Sequence, residues 1–341
     1  MDYIASATSG LQEYPSYVII FLFGLVTTFF YTPKLIRKAV EAKLVVRDMY
    51  KRGRPNVPTL GGLAILAGVM CSLIAAQFLL PAATTHSVLV FYFMVFSFAM
   101  FGLMDDLLDV GRKSKMLIPF FLALPIALLL DPASKVSLGP VTLDLATKVS
   151  AGPYSCDLAL LYFLIIAPIY VMVVSNLVNM HSGFNGLACG LSYMLLVFTI
   201  IKVIMHNQTE NIVYILPLFS AILAFLYFET YPAKIFWGNV GSLMVGAAVG
   251  AFIVLSGLEL FGVVILIPHI INFLMYVVWK IKKIGEVKFG GLREDGTLIV
   301  PNPLTFKWLF PYYFRLTENQ TMWIMYAITL LFGIIGIIFV P

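Results

Sequence analysis

Two adjacent carboxylates and a third close behind, Asp105-Asp106-Leu107-Leu108-Asp109, followed by Lys115, are the side chains of this chain best placed to do chemistry. They stand between an apolar run from Ser87 to Met104 and another from Met116 to Leu130. Carboxylates at the mouth of membrane-length segments are costly unless something neutralises them. Clustered carboxylate oxygens are hard ligands suited to Mg²⁺, and Mg²⁺ usually serves phosphate chemistry. A lone Asp in such a place reads as solvated loop. This run is harder to dismiss, because similarly polar strings recur at other helix mouths.

One such string is Asn176-Leu-Val-Asn179-Met-His181-Ser182-Gly183-Phe184-Asn185-Gly186. Its first two asparagines are about one helical turn apart and can point the same way, while its glycines allow sharp turns and close approach to a ligand. Taken alone it could equally be an Asn- and Gly-rich helix end. Another begins at Glu229 and ends in Trp237-Gly238-Asn239-Val240-Gly241-Ser242, where free backbone N–H groups at a helix start would suit an anion. Gly246 and Gly250 read instead as close helix packing. The first polar loop runs from Asp48 through Lys51, Arg52 and Arg54 to Gly61-Gly62, with prolines that prevent a helix just before the next span. The last holds Gly290-Gly291, Pro301-Asn302-Pro303 and Lys307, a loop long enough to cover a site or to be a plain connector.

The elements that must hold these strings are membrane spans. Of 341 residues, 61% are hydrophobic and only 11% charged, against about a quarter charged in a soluble domain. Ten apolar stretches of bilayer length recur, at residues 17–33, 60–80, 88–104, 116–130, 158–175, 187–204, 212–228, 240–257, 260–279 and 321–340. The fold expected is all-α: a polytopic membrane protein of about ten helices, forming one domain over residues 1–341. Residues 1–16 lack Lys and Arg and contain no apolar core, so no cleavable signal is expected there.

Nineteen of the 22 Lys and Arg residues fall on loops that lie on one side of these spans. The positive-inside rule then places both termini on the outer or lumenal side and every odd span's exit in the cytoplasm. The net charge of +5 is thus a cytoplasmic girdle, suited to anionic lipid and to an anionic substrate. No nucleic-acid partner is expected. Cys71, Cys156 and Cys189 show neither ligand spacing nor an obvious pair.

In this order and on these loops, the strings resemble the polyprenyl-phosphate N-acetylhexosamine-1-phosphate transferase superfamily, from Asp48 to about Lys307. The resemblance implies ten transmembrane helices, Mg²⁺ (or Mn²⁺ in its place), and transfer of a sugar-1-phosphate from a UDP-sugar to a polyprenyl or dolichyl phosphate, with release of UMP. The Asn179–Asn185 string is similar to the archaeal and eukaryotic dolichyl-phosphate GlcNAc-1-phosphate transferases, whereas the bacterial phospho-MurNAc-pentapeptide enzymes carry Asp at the places of Ser182 and Asn185. Pro268-His269-Ile-Ile-Asn272-Phe273 also resembles the dolichol branch. UDP-GlcNAc is the donor this implies, for an early step of N-glycan assembly.

Carried over, Asp105 and Asp106 match the paired catalytic aspartates and Lys115 a lysine that binds the diphosphate. Asn179 and Asn239 fall where the Mg²⁺ ligands lie. Asn185 falls at a nucleotide-sugar contact, and Lys51, Asp109 and Lys307 join it as substrate-binding positions. Two departures stand out. The family string reads Gly-Asp where this chain has Gly238-Asn239, and a neutral amide binds Mg²⁺ more weakly. Pro303-Leu304-Thr305-Phe306 replaces a stretch that carries two arginines in the eukaryotic enzyme. The membrane implied is the plasma membrane of an archaeon or the endoplasmic reticulum of a eukaryote, and a homodimer is compatible with the sequence.

The physical logic agrees. Lipid phosphate and nucleotide diphosphate repel each other, so a cation and Lys115 would neutralise charge as one attacks the other. Asp105 or Asp106 could take the proton of the lipid phosphate or attack the sugar-linked phosphate itself. The rival readings are a transporter, which would carry polar residues near span centres, and an intramembrane DDxxD prenyltransferase, which would need a second aspartate-rich string.

Overall fold

The computed structural model describes residues 2–341 except 132–134, 139–140, 152–153, 284, 286 and 288. Lys288, one of the basic residues counted above, lies outside the described residues. Helix α1 (Asp2–Glu41) is followed by a ribbon of β1 (Val45–Arg47) against β2 (Asn56–Pro58), then α2 (Gly62–Leu79) and α3 (Ala82–Leu108). After α3 comes α4 (Arg112–Ala123), which continues as a 3₁₀ turn over Leu124–Leu129. Two hairpins, β3 (Lys135–Leu138) with β4 (Val141–Asp144) and β5 (Lys148–Ala151) with β6 (Tyr154–Asp157), lead into α5 (Leu158–Leu161). One π turn joins α5 to α6 (Ala167–Met180). Next are α7 (Leu187–Met205), α8 (Ile212–Glu229) and α9 (Gly238–Leu255). The chain ends with α10 (Glu259–Ile265), α11 (Ile267–Ile281), the ribbon β7 (Gly291–Leu292) with β8 (Leu298–Ile299), α12 (Phe306–Tyr313) and α13 (Glu318–Phe339).

Eight segments among the described residues are long and apolar enough to cross a membrane: α1 from Pro15, α2, α3, α5–α6, α7, the helix ending in α8, α9 and α13. The pair α10–α11 is also long and apolar enough to make a broken span or a re-entrant loop, bent by 64° where Pro268 enters the first turn of α11. The expected fourth span takes another form. It opens on the basic stretch at Arg112 and leaves α geometry at Leu124. Twelve residues at about 1.5 Å and six at about 2.0 Å still advance it about 30 Å, the depth of a bilayer core. Its end, Leu129–Asp131, lies beside Val254–Gly257 at the far end of α9. The protein is an all-α polytopic integral membrane protein, with four two-stranded ribbons among the described residues outside its helices.

Helix α9 is the most buried of these spans, with 83% of its apolar window inside the protein. Its small residues make that possible. A Cβ at Gly246 would stand 2.7 Å from the Ser175 Cα, and one at Gly250 would stand 3.1 Å from the Val171 Cα. The backbones of α6 and α9 therefore approach as closely as small-residue helix seams allow, and α3 packs along another face of α9. The three helix ends that carry the polar strings are thereby held together.

Candidate active site

Consecutive helical residues point about 100° apart, and at the end of α3 this sends the paired aspartates to different partners. Asp106 reaches the start of α9, where its Oδ1 accepts the Asn239 N–H and its Oδ2 the Val240 N–H, each at 3.0 Å. It thus satisfies two of the open donors of that helix end, where negative charge is favoured. Gly238 makes the approach possible. Its φ is +70°, and a Cβ there would lie 2.5 Å from Asp106 Oδ2. Asp105 turns inward, and its side chain has no exposed surface. Its Oδ1 accepts the Val110 N–H at 3.0 Å and pairs with Lys115 Nζ at 2.8 Å, while its Oδ2 accepts from Asn239 Nδ2 at 2.7 Å.

Asp106 opens onto a cavity of about 270 Å³, shared with Asn179, Asn239, Ser242, Asp48, Asn185 and Glu229. The Ser242 hydroxyl donates to Asn179 Oδ1 at 2.8 Å. Because the Asn239 amide nitrogen is committed to Asp105, its amide oxygen is the end left for a ligand. Asp106, Asn179 and Asn239 are an all-oxygen donor set, which fits Mg²⁺. No group of three His, Cys, Asp or Glu residues suited to a metal occurs among the described residues. A metal here would therefore take much of its shell from substrate phosphate and water, as Mg²⁺ commonly does.

The opposite wall comes from segments far apart in sequence. Asn185, 2% exposed, donates its backbone N–H to Glu318 Oε1 at 2.7 Å and its Nδ2 to Asp48 Oδ2 at 3.0 Å, and its Oδ1 accepts the Ala233 N–H at 2.9 Å. Lys51 is paired with Glu318, lies 3.5 Å from Asp48 Oδ2 and stacks 4.0 Å from the Tyr231 ring centre. Tyr50 fastens the last loop down, accepting from the Gly290 N–H at 3.3 Å and Trp308 Nε1 at 3.2 Å, with its ring edge-on to Phe184 at 5.0 Å. Asn272 ties α11 to both sides, donating to the Met180 carbonyl at 3.2 Å and accepting the Phe306 N–H at 3.0 Å.

Lys307 reaches in from α12 and donates to the Ser182 carbonyl at 2.7 Å. Gly183, at φ +110°, leaves room for its ammonium. Burial pushes the Lys307 pKa down to about 8, against the pull of Glu318. Burial likewise holds His181 well below the usual imidazole range, reinforced by His269 and Lys307.

The structure therefore brings Asp106, Asn179, Asn185 and Asn239 around one cavity. Lys115 does not line that cavity; it is paired with Asp105, with 31% of its side chain exposed. Asp109 is fully exposed at the left-handed end of α3 and 3.9 Å from Lys115. Lys51 lines the neighbouring cleft with Arg52, Arg54 and Arg293. Glu318 and Glu229 were not among the residues expected from the sequence to work at the site. Glu229 opened one of the polar strings, and an acidic residue closing an apolar span was the signal available. Glu318 gave none, since its partners lie 133 and 267 residues away.

Residues 88–257 match the family model described as glycosyl transferase family 4. The chain is 28% identical over 337 residues, 94% of each chain, to a Saccharolobus solfataricus protein whose name assigns it as a UDP-N-acetylglucosamine–dolichyl-phosphate N-acetylglucosaminephosphotransferase. A Sulfolobus acidocaldarius protein named for the same activity is 26% identical over 329 residues, 93% of this chain and 94% of the relative. The phospho-N-acetylmuramoyl-pentapeptide-transferase of Wolbachia pipientis is 30% identical over 271 residues, 76% of this chain and 79% of the relative.

Proposed function

This chain belongs to glycosyl transferase family 4, and from that premise we propose that it transfers a sugar-1-phosphate from a nucleotide sugar to a polyprenyl phosphate. The donor is UDP-GlcNAc and the acceptor a dolichyl-type phosphate, with UMP as the released product. The names of the two archaeal relatives support that choice, as does a string at Ser182 and Asn185 that lacks the aspartates of the peptidoglycan enzymes. The observation that carries the reading is the Asp106 carboxylate, held by two backbone N–H groups and facing a cavity with two side-chain amide oxygens.

An oxygen of the lipid phosphate attacks the sugar-linked phosphorus of the donor, the bond from that phosphorus to the UMP oxygen breaks, and a lipid-linked sugar diphosphate forms. Asp106 takes the proton of the lipid phosphate or orients its attack. Asn179 and Asn239 would hold Mg²⁺, which supplies neutralising charge to the diphosphate. Asp105 is a positioning residue: it aims Lys115 at the rim and fixes the Asn239 amide. Lys115 and Lys307 bind anionic oxygen from two sides. The concentration of Lys and Arg on the loops of this end favours a cytoplasmic site with outward termini, in the plasma membrane of an archaeon.

The test is purified protein with Mg²⁺, a polyprenyl phosphate and a panel of UDP-sugars, scored by UMP release. UMP and a lipid-linked GlcNAc diphosphate are the expected products. Consumption of a polyprenyl diphosphate, with no UMP from any donor, would establish the prenyltransferase chemistry instead.

A further inference from the structure

Next to the catalytic cavity the first and last loops enclose a cleft of about 470 Å³, and Met49 is the lining residue the two spaces have in common. One side of the cleft is a hairpin tip. Strands β1 and β2 bring Asp48 to Pro55, the Asp48 N–H donating to the Pro55 carbonyl at 2.9 Å, and the Arg54 N–H closes the turn on the Lys51 carbonyl at 3.1 Å. Gly53, at φ +72°, takes the left-handed place in that turn. The tip thereby sets Arg52 and Arg54 against Arg293 of the last loop. Arg52 reaches across to the Glu294 carbonyl, 242 residues further along the chain.

The charge of this cleft is not balanced. Four cations line it against one carboxylate, Glu294. Lys51 is neutralised by Glu318 and Asp48. The three arginines are not: among the described residues none of them is paired with a carboxylate. Neutral oxygens pin two of them instead. Arg52 Nη2 donates to the Glu294 carbonyl, and Arg293 Nη1 donates to the Leu298 carbonyl at 2.6 Å and to the Thr297 hydroxyl at 3.3 Å. Asp295, the next acid along, accepts the N–H and the hydroxyl of Thr297 at 2.9 and 2.6 Å. Arg54 makes no side-chain bond among the described residues. Two guanidiniums are thus oriented in advance, with N–H donors to spare and their charge uncompensated.

We propose that this cleft is a second anion site, which takes a phosphate group separate from the diphosphate of the donor. A tetrahedral phosphate can accept from three guanidiniums at once, whereas a carboxylate offers two oxygens in one plane. Place sets the donor apart: Asp106, Asn179 and Asn239 line the cavity and not the cleft. The phosphate is either a free ion or the headgroup of an anionic lipid, and the chemistry of recognition is the same for both. The site stands on its own, whatever reaction the cavity carries out.

The experiment is titration of the full-length protein with inorganic phosphate at constant ionic strength, in an uncharged detergent free of anionic lipid, read as the rise in Tm. Wild type should show a saturable rise. Arg54→Gln and Arg293→Gln should each weaken phosphate by about tenfold or more, the scale of one charge-assisted hydrogen bond. Arg54 has no side-chain bond to lose, so its variant reads binding without a change in folding. Lys283→Gln, which removes an exposed charge outside the cleft, should bind phosphate as wild type does. The titration is then repeated in nanodiscs of phosphatidylcholine with and without phosphatidic acid. If phosphatidic acid abolishes the rise, the headgroup is the occupant; if the rise persists, the occupant is the free ion. No saturable rise in wild type overturns the site, as does an equal rise in wild type and both arginine variants. A loss in Lys283→Gln as large as in Arg54→Gln also overturns it, since net charge alone would then explain the binding.

Discussion

The two walls of the cavity are built on opposite plans. The wall made by α3, α6 and α9 is assembled from helix ends, and its groups keep spare capacity: Asp106 holds two backbone donors yet faces the cavity, and the Asn239 amide oxygen is uncommitted. The wall made by the first loop, the approach to α7 and the start of α13 satisfies its own members, with Asn185 using three polar groups on Glu318, Asp48 and Ala233. Open capacity marks where a substrate is to react, and satisfied networks mark what keeps the vessel rigid. Substitutions on the first wall should therefore cost rate, and those on the second should cost stability.

The largest expected effect is that of Asp106→Asn, which keeps the shape but removes the charge and should lower kcat for UMP release, per folded molecule, by about 10²–10⁴-fold, beside a smaller loss of Tm because its NH₂ faces one of the two backbone donors. A kcat within a few-fold of wild type would move the reacting group elsewhere. On the other wall, Glu318→Gln should leave kcat per folded molecule nearly intact but destabilise the protein by about 1–3 kcal/mol, since it turns an amide NH₂ onto the Lys51 ammonium and leaves that cation only Asp48. A loss of kcat without loss of thermal stability would erase the distinction between the walls.

Asn239 sharpens it further. Its amide nitrogen lies 2.7 Å from Asp105 Oδ2, so Asn239→Asp would set two carboxylates against each other. We expect a lower Tm without Mg²⁺ and a larger Mg²⁺-induced rise in Tm than in wild type. Equal Mg²⁺ responses in the two proteins would remove this position from the metal.

The smallest effect is one of pH. With its pKa lowered to about 8, Lys307 loses its proton well before an ordinary lysine near 10.4. KM for the donor should rise as pH climbs through about 8, while relief of the buried charge makes the group's contribution to stability increase between about 8 and 10.4. Lys307→Arg, charged throughout this range, should flatten the KM profile between pH 7 and 9 or so.

How much of this could be seen in the sequence follows the same division. Span lengths were legible, because apolar runs report burial directly: the run at 187–204 became α7 at Leu187–Met205. The Asp105-Asp106 pair was legible as a place, but not its division of labour, which depends on how α3 is rotated against α9. The pairing of Lys51 with Glu318 was not legible, because the two are 267 residues apart and no local pattern encodes such a contact. The fourth span was legible as apolar and misleading as a helix, since hydropathy does not register a change from α to 3₁₀ winding at Leu124.

Helix α13 contributes Glu318 to Asn185 and the Tyr326 hydroxyl to the Gly186 carbonyl at 2.6 Å, yet Glu318 follows Asn185 by 133 residues of chain. During biogenesis the loop between α6 and α7 must wait, its amide and carbonyl unsatisfied, until that helix has entered the membrane. Assembly of this wall is thereby coupled to the insertion of α13: a chain that has made α6 and α7 but not yet α13 holds the cavity only half built.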